Sequence, residues 1–224
     1  MNELRWTIVI PLKSTPDAKS RLADWLEPGR RLALVRAMVG DTVAAAAAAG
    51  RVEGIVVVTG DAAMARTARR AAGSAVSSAV VDVVDEPEPA GLNAAVRAGI
   101  EWARRSRPTH GIGVLLGDLP ALRPGELDDA LAQAGLHPLG VVTDAYGTGT
   151  TLLTATPGAA VDPAFGPGSA LLHRSRGHVR LVVPPGSGLA HDVDVPADLQ
   201  VVLALGVGAR TRRALRGVSL QRAV

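Results

Sequence analysis

Residues 6–22 read WTIVIPLKSTPDAKSRL, and this stretch decides which kind of α/β fold the chain adopts. The apolar run Trp6–Ile10 predicts a buried strand, and the loop that follows it contains no glycine. A dinucleotide-binding fold would place G-x-G-x-x-G here, and a P-loop would also need glycines, so both are excluded. The loop offers cations and hydroxyl groups instead, a set that suits a polyphosphate ligand.

The same loop holds both lysines of the chain. Of the 24 basic residues, 22 are arginine, and only Lys13 and Lys19 are lysine. A lysine ammonium is a compact charge that can approach a phosphate oxygen where a planar guanidinium is too bulky. A solvated, charged surface loop is the alternative interpretation, but it gives no reason for both lysines to be kept here. We therefore expect Lys13, Lys19 and Arg21 to bind phosphate groups.

The composition restricts the class of protein. The 224 residues are 47% hydrophobic but only 2% aromatic, so Ala, Val and Leu must build the core of what we expect to be one domain. The absence of cysteine excludes disulfides, thiolate metal sites and a cysteine nucleophile. The net charge is +3 and the arginines are dispersed with few aromatic residues between them, which argues against nucleic-acid binding. With no signal peptide and no apolar run of membrane-spanning length, a cytoplasmic protein is expected.

Apolar runs alternate with helical patterns, which is typical of a mostly parallel sheet covered on both faces. Strands are predicted at residues 6–10, 54–59, 79–84, 112–116, 139–143, 150–155 and 179–183. Helices are predicted at residues 29–48, 61–72, 91–106, 124–134, 168–174 and 196–205. We therefore expect an α/β fold: a single-domain, open, mostly parallel mixed sheet with helices on both faces. This domain would cover residues 1–205, followed by a basic C-terminal tail at 206–224.

Ligands of such sheets bind outside the carboxyl ends of the strands, where this chain has carboxylates. Asp118 follows directly after the predicted strand that ends at Leu116. Asp192 and Asp194 are two residues apart, so in extended backbone they point to the same side and repel unless a cation lies between them. A turn cap is the alternative for Asp118, whereas Pro196 as first helical residue leaves Asp194 outside a helix cap. These carboxylates predict a Mg²⁺ site.

The remaining polar residues have structural interpretations beside, or in place of, a functional one. Asn93 opens a helix and can either meet a nucleotide or cap that helix. The stretch FGPGS at 165–169 precedes a short helix, so free N–H groups and the Ser169 hydroxyl can hold an anion, with a simple N-cap as the equal alternative. Asp198, in the first turn of the last predicted helix, is interpreted as a residue that favours the helix dipole. The five histidines show no metal-ligand spacing and are expected in structural or solvent roles.

Jointly these motifs resemble the 2-phospho-L-lactate guanylyltransferase family of coenzyme F(420) biosynthesis, among the GT-A-like nucleotidyltransferases of the molybdenum-cofactor guanylyltransferase type. The matching stretches lie within about residues 8–200 and are IPLKSTPDAKSRLA, GLNAAVRAG, LLGDLPAL, GTGTTLL, FGPGSALLH and HDVDVPADL. The resemblance implies a Rossmann-like, GT-A-like fold. One departure is Val195, where many relatives have Thr, which weakens a helix cap more than the chemistry. The Ala- and Arg-rich composition suggests an actinobacterial member, for which the resemblance implies phosphoenolpyruvate as the acceptor.

The resemblance also implies a reaction and a set of residues. GTP and phosphoenolpyruvate would give enolpyruvyl-diphospho-guanosine and pyrophosphate, with Mg²⁺ as cofactor. The implied metal ligands are Asp118, Asp192 and Asp194. The implied GTP-binding residues are Pro11, Lys13, Lys19, Arg21, Asn93 and Asp118, of which Lys13, Lys19, Arg21 and Asp118 act in catalysis. The implied phosphoenolpyruvate-binding residues are Thr151, Gly166 and Ser169. A catalytic base is not required, because a phosphate monoester with a second pKa of about 6 is already charged at neutral pH.

Two other functions remain open on the sequence. The nearest is another nucleotidyltransferase of the molybdenum-cofactor or sugar-phosphate type, although the chain lacks the G-G-x-S type of loop. The other is a basic nucleic-acid-binding α/β protein, whose binding would depend steeply on salt. The acceptor can equally be 2-phospho-L-lactate or 3-phosphoglycerate on the residues alone. Beyond these small molecules we expect no nucleic-acid or membrane partner, and a homodimer is one option for the assembly.

Overall fold

The computed structural model describes residues 3–12, 19–74, 79–86 and 91–218. The strands are β1 (Trp6–Pro11), β2 (Val52–Val58), β3 (Val80–Val84), β4 (Gly111–Leu115), β5 (Leu139–Thr143), β6 (Thr150–Ala155) and β7 (Val179–Arg180). The helices are α1 (Pro28–Ala48), α2 (Ala62–Ala72), α3 (Leu92–Ser106), α4 (Pro124–Ala134), α5 (Ser169–Ser175), α6 (Pro196–Leu205) and α7 (Ala209–Ala214), with 3₁₀ turns at Ser20–Leu22 and Gly188–Ala190. Within these described ranges, no helix has the length and apolar character needed to cross a bilayer.

The strands form one mixed sheet in the order β3-β2-β1-β4-β6-β5-β7. β6 runs antiparallel to β4 and to β5, and the other strand pairs are parallel. The chain builds the sheet outward from β1 to β3 and then returns to add β4 on the other side of β1. Such a reversal leaves a crevice above the carboxyl ends of β1 and β4. The expected open, mostly parallel mixed sheet with helices on both faces is confirmed.

Helices cover both faces because the central strands are apolar on both sides. In β1, Ile8 and Ile10 pack into a core cluster that also contains residues of α1, α2, α4 and α6. Val9 points the other way, into a second cluster with α3, as the alternation of side chains along a strand requires. α3 can lie close to the sheet because residue 99 is glycine, and a Cβ there would overlap the side chains of Val9 and Val58. Aliphatic residues dominate both clusters, in agreement with the low aromatic content.

The last strand is shorter than the sequence predicted. We expected residues 179–183, but β7 contains only Val179–Arg180, paired with β5 at the edge of the sheet. Two residues later, Gln133 of α4 bonds the backbone of Val182. Its Nε2 donates to the Val182 carbonyl at 2.8 Å, and its Oε1 accepts from the Val182 N–H at 3.0 Å. A side chain thus satisfies the backbone groups that a longer edge strand would leave open to another chain.

The C-terminal segment packs against the domain as far as residue 218. α7 lies against α1, where the buried carboxylate of Asp41 accepts the N–H of Thr211 at 2.7 Å and that of Arg210 at 3.2 Å. Asp41 also forms an ion pair with the Arg210 guanidinium at 3.5 Å. The described part of the predicted basic tail therefore packs on α1, where Asp41 accepts two of its backbone N–H groups. The domain boundary at residue 205 stays a prediction.

Candidate active site

A cavity of about 800 Å³ opens over the carboxyl ends of β1 and β4, at the reversal of strand order. Its wall comprises the end of β1, the turn after β4, the β5–β6 loop, the 165–169 loop and the segment 192–194. The predicted site residues that line it are Pro11, Lys19, Arg21, Asp118, Gly166, Ser169, Asp192 and Asp194. Lys13 lies outside the described residues. A volume of this size can hold a nucleoside triphosphate beside a small acceptor.

Three carboxylates converge in this cavity. Asp118 follows β4, and its carbonyl accepts the N–H of Val193 at 3.2 Å, which ties the segment 192–194 to the end of that strand. Val193 is fully buried, so its neighbours Asp192 and Asp194 point away from the core. One oxygen from each of the three aspartates lies within 4.8 Å of the others. The structure thus brings together the carboxylates that the sequence singled out, and their role as metal ligands stays a prediction.

The concentration of negative charge disfavours ionisation of one member of the cluster. Burial raises the pKa of Asp192 from 3.8 to about 7, and the charges of Asp118 and Asp194 act in the same direction. The Lys19 ammonium opposes this increase in the pKa of Asp192. Near neutral pH the cluster therefore gains from any additional cation that reaches it.

Lys19 already supplies one positive charge to the aspartates. Its Nζ donates to Asp118 Oδ2 and to Asp194 Oδ1, the latter at 2.6 Å. Burial opposes the ammonium charge, but the two carboxylates raise the pKa of Lys19 above its ordinary value, so the group stays charged. Arg21 is exposed on the following turn and lines the same cavity. The sequence predicted Lys19 as a phosphate ligand, whereas in this structure its ammonium contacts the carboxylates.

The aspartate cluster fits a divalent cation. Asp118 Oδ1 is buried and has no hydrogen-bond partner among the described residues. An unpaired buried carboxylate oxygen is costly unless it coordinates a cation or water. The cluster offers three carboxylates with oxygens within 4.8 Å of one another, which is the hard, oxygen-only ligand set that Mg²⁺ and Mn²⁺ prefer.

Asp198 is a residue of this site that the sequence interpretation missed. Its Oδ2 accepts the N–H groups of Asp194 and Val195, both at 2.8 Å, and its Oδ1 accepts the hydroxyl of Tyr146 at 2.8 Å. Asp198 therefore fixes the backbone that carries Asp194 and connects it to the β5–β6 loop. The signal was present, because Asp198 lies three residues after the N-cap Val195, at the spacing of a capping box. Its role extends beyond the helix dipole that we expected.

The 165–169 loop agrees only in part with the expected acceptor site. Gly166, at φ 137°, and the buried Ser169 both line the cavity. The first two N–H groups of α5, however, donate to backbone carbonyls of this chain at 3.1 Å, so they are not free for an anion as expected. Thr151 is fully buried and is not among the cavity-lining residues, whereas Thr150 is. Neighbouring strand residues face different sides of a sheet, which explains why only one of the two threonines reaches the cavity.

Asn93 holds the 165–169 loop by its backbone. Its Nδ2 donates to the carbonyl of Phe165 at 3.0 Å, and its Oδ1 accepts the N–H of Phe165 at 2.8 Å. Both ends of the amide are used in this way, and Asn93 is not among the cavity-lining residues. The structure therefore places Asn93 as a positioning residue for the loop, and the nucleotide contact that we expected for it stays a prediction.

His173 of α5 holds the start of the same loop. Its Nε2 accepts the N–H of Ala164 at 2.9 Å, and its Nδ1 lies 2.9 Å from Thr150 Oγ1. Burial lowers the pKa of His173 to about 4, and the neighbouring His178 and Arg176 contribute to the same effect. The ring is therefore neutral at physiological pH, with Nδ1 as the donor and Nε2 as the acceptor. This agrees with the structural role expected for the histidines.

A family model and two sequence relatives agree on one family. A family model described as "Guanylyl transferase CofC like" matches residues 6–223. A protein of Sanguibacter keddieii named phosphoenolpyruvate guanylyltransferase is 50% identical to this chain, and the match covers 94% of this chain and 84% of that protein. A protein of Streptomyces scabiei with the same name is 46% identical over 211 residues, which cover 94% of this chain and 96% of that protein.

Solved structures share the fold at low sequence identity. One is described as a nucleotide-diphospho-sugar transferase from Desulfovibrio desulfuricans G20; its TM-score is 0.66 at 16% identity, and the match covers 96% of this chain and 91% of that one. Another is the protein Rv0371C of Mycobacterium tuberculosis H37Rv in complex with manganese, with a TM-score of 0.51 at 20% identity, covering 91% of this chain and all of that one. At these identities the likeness establishes the fold alone.

Proposed function

Because the chain belongs to the guanylyl transferase CofC-like family, we propose that it transfers GMP from GTP to the phosphate of phosphoenolpyruvate. The products would be enolpyruvyl-diphospho-guanosine and pyrophosphate, as a step of coenzyme F(420) biosynthesis. The observation that carries the proposal is the convergence of Asp118, Asp192 and Asp194 in a cavity large enough for both substrates. The names of relatives at 50% and 46% identity support phosphoenolpyruvate as the acceptor over 2-phospho-L-lactate.

The aspartates would hold Mg²⁺. When bound, this cation supplies charge neutralisation at the α-phosphate and at the acceptor phosphate. Lys19 and Arg21 line the same cavity, which supports the proposal that they neutralise the β- and γ-phosphates and the departing pyrophosphate. Lys13 belongs to the same loop, and we propose the same role for it. Pro11, at the end of β1, contributes to the surface against which the nucleotide lies.

The proposed reaction requires the protein mainly to orient the two substrates and to neutralise their phosphate charges. An oxygen of the phosphoenolpyruvate phosphate attacks the α-phosphorus, and the bond between that phosphorus and the α,β-bridging oxygen breaks to release pyrophosphate. The attacking oxygen is already ionised at neutral pH, so the mechanism needs no histidine as base. Gly166 and Ser169 are proposed to bind the acceptor, on a loop that Asn93 and His173 hold in place. Thr151 is fully buried and is not among the cavity-lining residues, so its expected contact with the acceptor stays a prediction. Most of the rate enhancement then comes from orientation and electrostatic stabilisation.

Pyrophosphate release tests this function directly. Purified protein with Mg²⁺ is given each of the four nucleoside triphosphates with phosphoenolpyruvate, 2-phospho-L-lactate or 3-phosphoglycerate. We expect the highest kcat/KM for GTP with phosphoenolpyruvate, and we expect Asp118→Asn to lower it at least about a hundredfold while leaving the melting temperature nearly unchanged. Release with GTP that requires 2-phospho-L-lactate or 3-phosphoglycerate would keep guanylyl transfer and change the acceptor, whereas release with none of the three would favour the other nucleotidyltransferase classes. Binding of DNA or RNA in a gel shift without GTP would favour the nucleic-acid alternative. The cytoplasmic location and the homodimer stay predictions.

A further inference from the structure

We propose that Lys19 is the counter-cation of the aspartate cluster in the free protein and transfers to the triphosphate when a metal–nucleotide complex binds. The inference rests on the proposed function and adds an order of events to it. The divalent cation would enter together with the nucleotide, because a free cation must first displace the ammonium of this chain.

The ion pairs of Lys19 occupy one oxygen of Asp118 and one of Asp194, two of the three carboxylates proposed to hold the metal. Nζ contacts Asp118 Oδ2 and lies 2.6 Å from Asp194 Oδ1, so it bridges two of the three carboxylates. A Mg²⁺ ion coordinates carboxylate oxygens at about 2.0–2.1 Å, so an ion on the same two oxygens would lie close enough to Nζ for strong repulsion. The two cations therefore compete for the cluster. Asp118 Oδ1, which has no partner among the described residues, remains as a point of entry for the metal.

The backbone around Lys19 is built to direct this side chain. Lys19 has φ 56° and ψ 44°, and it is the only non-glycine residue with positive φ in the described part of the chain. Such a conformation is costly for a residue with a Cβ and persists where the surroundings require it. Leu22 is fully buried, and its N–H donates to the Lys19 carbonyl at 2.9 Å, which anchors the turn. With the backbone of the turn anchored, a change of partner by Lys19 would involve its side chain alone.

A metal–triphosphate complex removes the conflict that a bare cation creates. The cation takes the carboxylates, and the phosphates that arrive with it offer the displaced ammonium a new anionic partner in the same cavity. Binding of metal and binding of nucleotide are then mutually favourable through Lys19, and by linkage each increases the affinity for the other. A bare cation has no such compensation. This gives a chain with only two lysines a specific use for one of them.

Mn²⁺ binding without nucleotide tests the competition. The affinity is measured by electron paramagnetic resonance of free Mn²⁺ for the wild type, Lys19→Met, Arg21→Met and Asp118→Asn. We expect Lys19→Met to bind Mn²⁺ at least about tenfold more tightly than the wild type, because two ion pairs no longer have to be broken. Arg21→Met is the matched control, since Arg21 lines the cavity but makes no ion pair with the aspartates among the described residues, and its affinity should equal that of the wild type.

The outcomes separate this inference from the proposed function. Equal Mn²⁺ affinity in the wild type and Lys19→Met, with loss of binding in Asp118→Asn, would refute the competition but keep the metal site. Binding that survives in Asp118→Asn would remove the metal site itself, and the proposed mechanism with it.

Nuclear magnetic resonance of the wild type gives a second measurement, the chemical shift of the Lys19 side chain. Lys19→Met serves only to assign this signal and does not have to be active. Labelling with ¹³C-lysine produces signals from Lys13 and Lys19 alone, and the Lys19 signal is assigned by its absence in Lys19→Met. We expect the side-chain resonance of Lys19 to shift when Mg²⁺ is added with α,β-methylene-GTP, a nonreactive analogue. An unchanged Lys19 resonance at saturating Mg²⁺ and analogue would show that the ammonium stays on the aspartates, contrary to the inference.

Discussion

Replacing Asp192 by asparagine should stabilise the metal-free protein at neutral and alkaline pH. Burial beside Asp118 and Asp194 raises the pKa of Asp192 from 3.8 to about 7. A difference of this size between the unfolded and folded chain corresponds to an upper limit of about 4 kcal/mol of destabilisation once the carboxyl is ionised. The neighbouring charges and solvent reduce this limit, so we expect Asp192→Asn to increase the free energy of unfolding by about 1–2 kcal/mol.

The sign of the pH dependence follows from which state binds the proton more tightly. Between about pH 4 and pH 7 the folded chain keeps the Asp192 proton while the unfolded chain loses it, so the wild type loses stability as pH rises through this window. An asparagine side chain resembles the protonated carboxyl and does not titrate. The benefit of Asp192→Asn should therefore be small near pH 4.5 and complete above pH 7.

Thermal unfolding in the presence of a chelator measures this effect. For a chain of this length, 1–2 kcal/mol corresponds to an increase in Tm of about 3–6 °C at pH 8. Mg²⁺ added together with α,β-methylene-GTP should raise the Tm of the wild type at pH 8 more than that of Asp192→Asn, because the variant would lack one of the proposed ligands. Asp129→Asn, an exposed aspartate of α4, is the matched control and should leave Tm unchanged at both pH values. A Tm of Asp192→Asn at or below that of the wild type at pH 8 would show that the charge of Asp192 does not destabilise the folded chain.

Two further variants test residues that position the site. Asp198→Asn should lower kcat/KM about 10–100-fold, partly restored by excess metal, because the backbone that carries Asp194 loses its carboxylate acceptor. Glu126→Gln alters the corresponding capping contact of α4 and should lower the free energy of unfolding by a similar amount without lowering kcat/KM. Equal losses of kcat/KM in the two variants would show that Asp198 acts only as a helix cap. Asn93→Ala should raise KM for phosphoenolpyruvate about tenfold through loss of two hydrogen bonds to Phe165. Asn93→Asp keeps the oxygen that accepts the Phe165 N–H, so its KM for phosphoenolpyruvate should lie between those of the wild type and Asn93→Ala. An effect confined to KM for GTP would instead indicate that Asn93 contacts the nucleotide.

The convergence of the aspartates was predictable because it depends on local rules. Asp118 follows a buried strand of a parallel sheet, and such strand ends meet at one edge. Asp192 and Asp194 flank one apolar residue, so burial of Val193 is enough to turn both toward the cavity. The prolines at 124 and 196 likewise begin α4 and α6 as expected, since proline suits the first turn of a helix.

The contacts of the positioning residues were not predictable because they join distant parts of the chain. Asn93 and Phe165 are separated by 72 residues, and nothing near Asn93 indicates that its amide will meet that backbone. The ammonium of Lys19 was assigned to phosphate on its chemistry, but its nearest anions are carboxylates that are 99 and 175 residues away. Thr150 lines the cavity and Thr151 does not, because neighbouring strand residues face opposite sides of the sheet. A one-residue error in the predicted register exchanges the two positions.

Anomalous diffraction from crystals grown with Mn²⁺ and α,β-methylene-GTP would locate the divalent cation relative to the three aspartates. We expect a manganese peak at about 2.2 Å from carboxylate oxygens of Asp118, Asp192 and Asp194, with the α-phosphate beside it and Lys19 Nζ on a phosphate oxygen. A peak coordinated elsewhere, or three aspartates still paired only with Lys19 beside a bound nucleotide, would contradict this expectation.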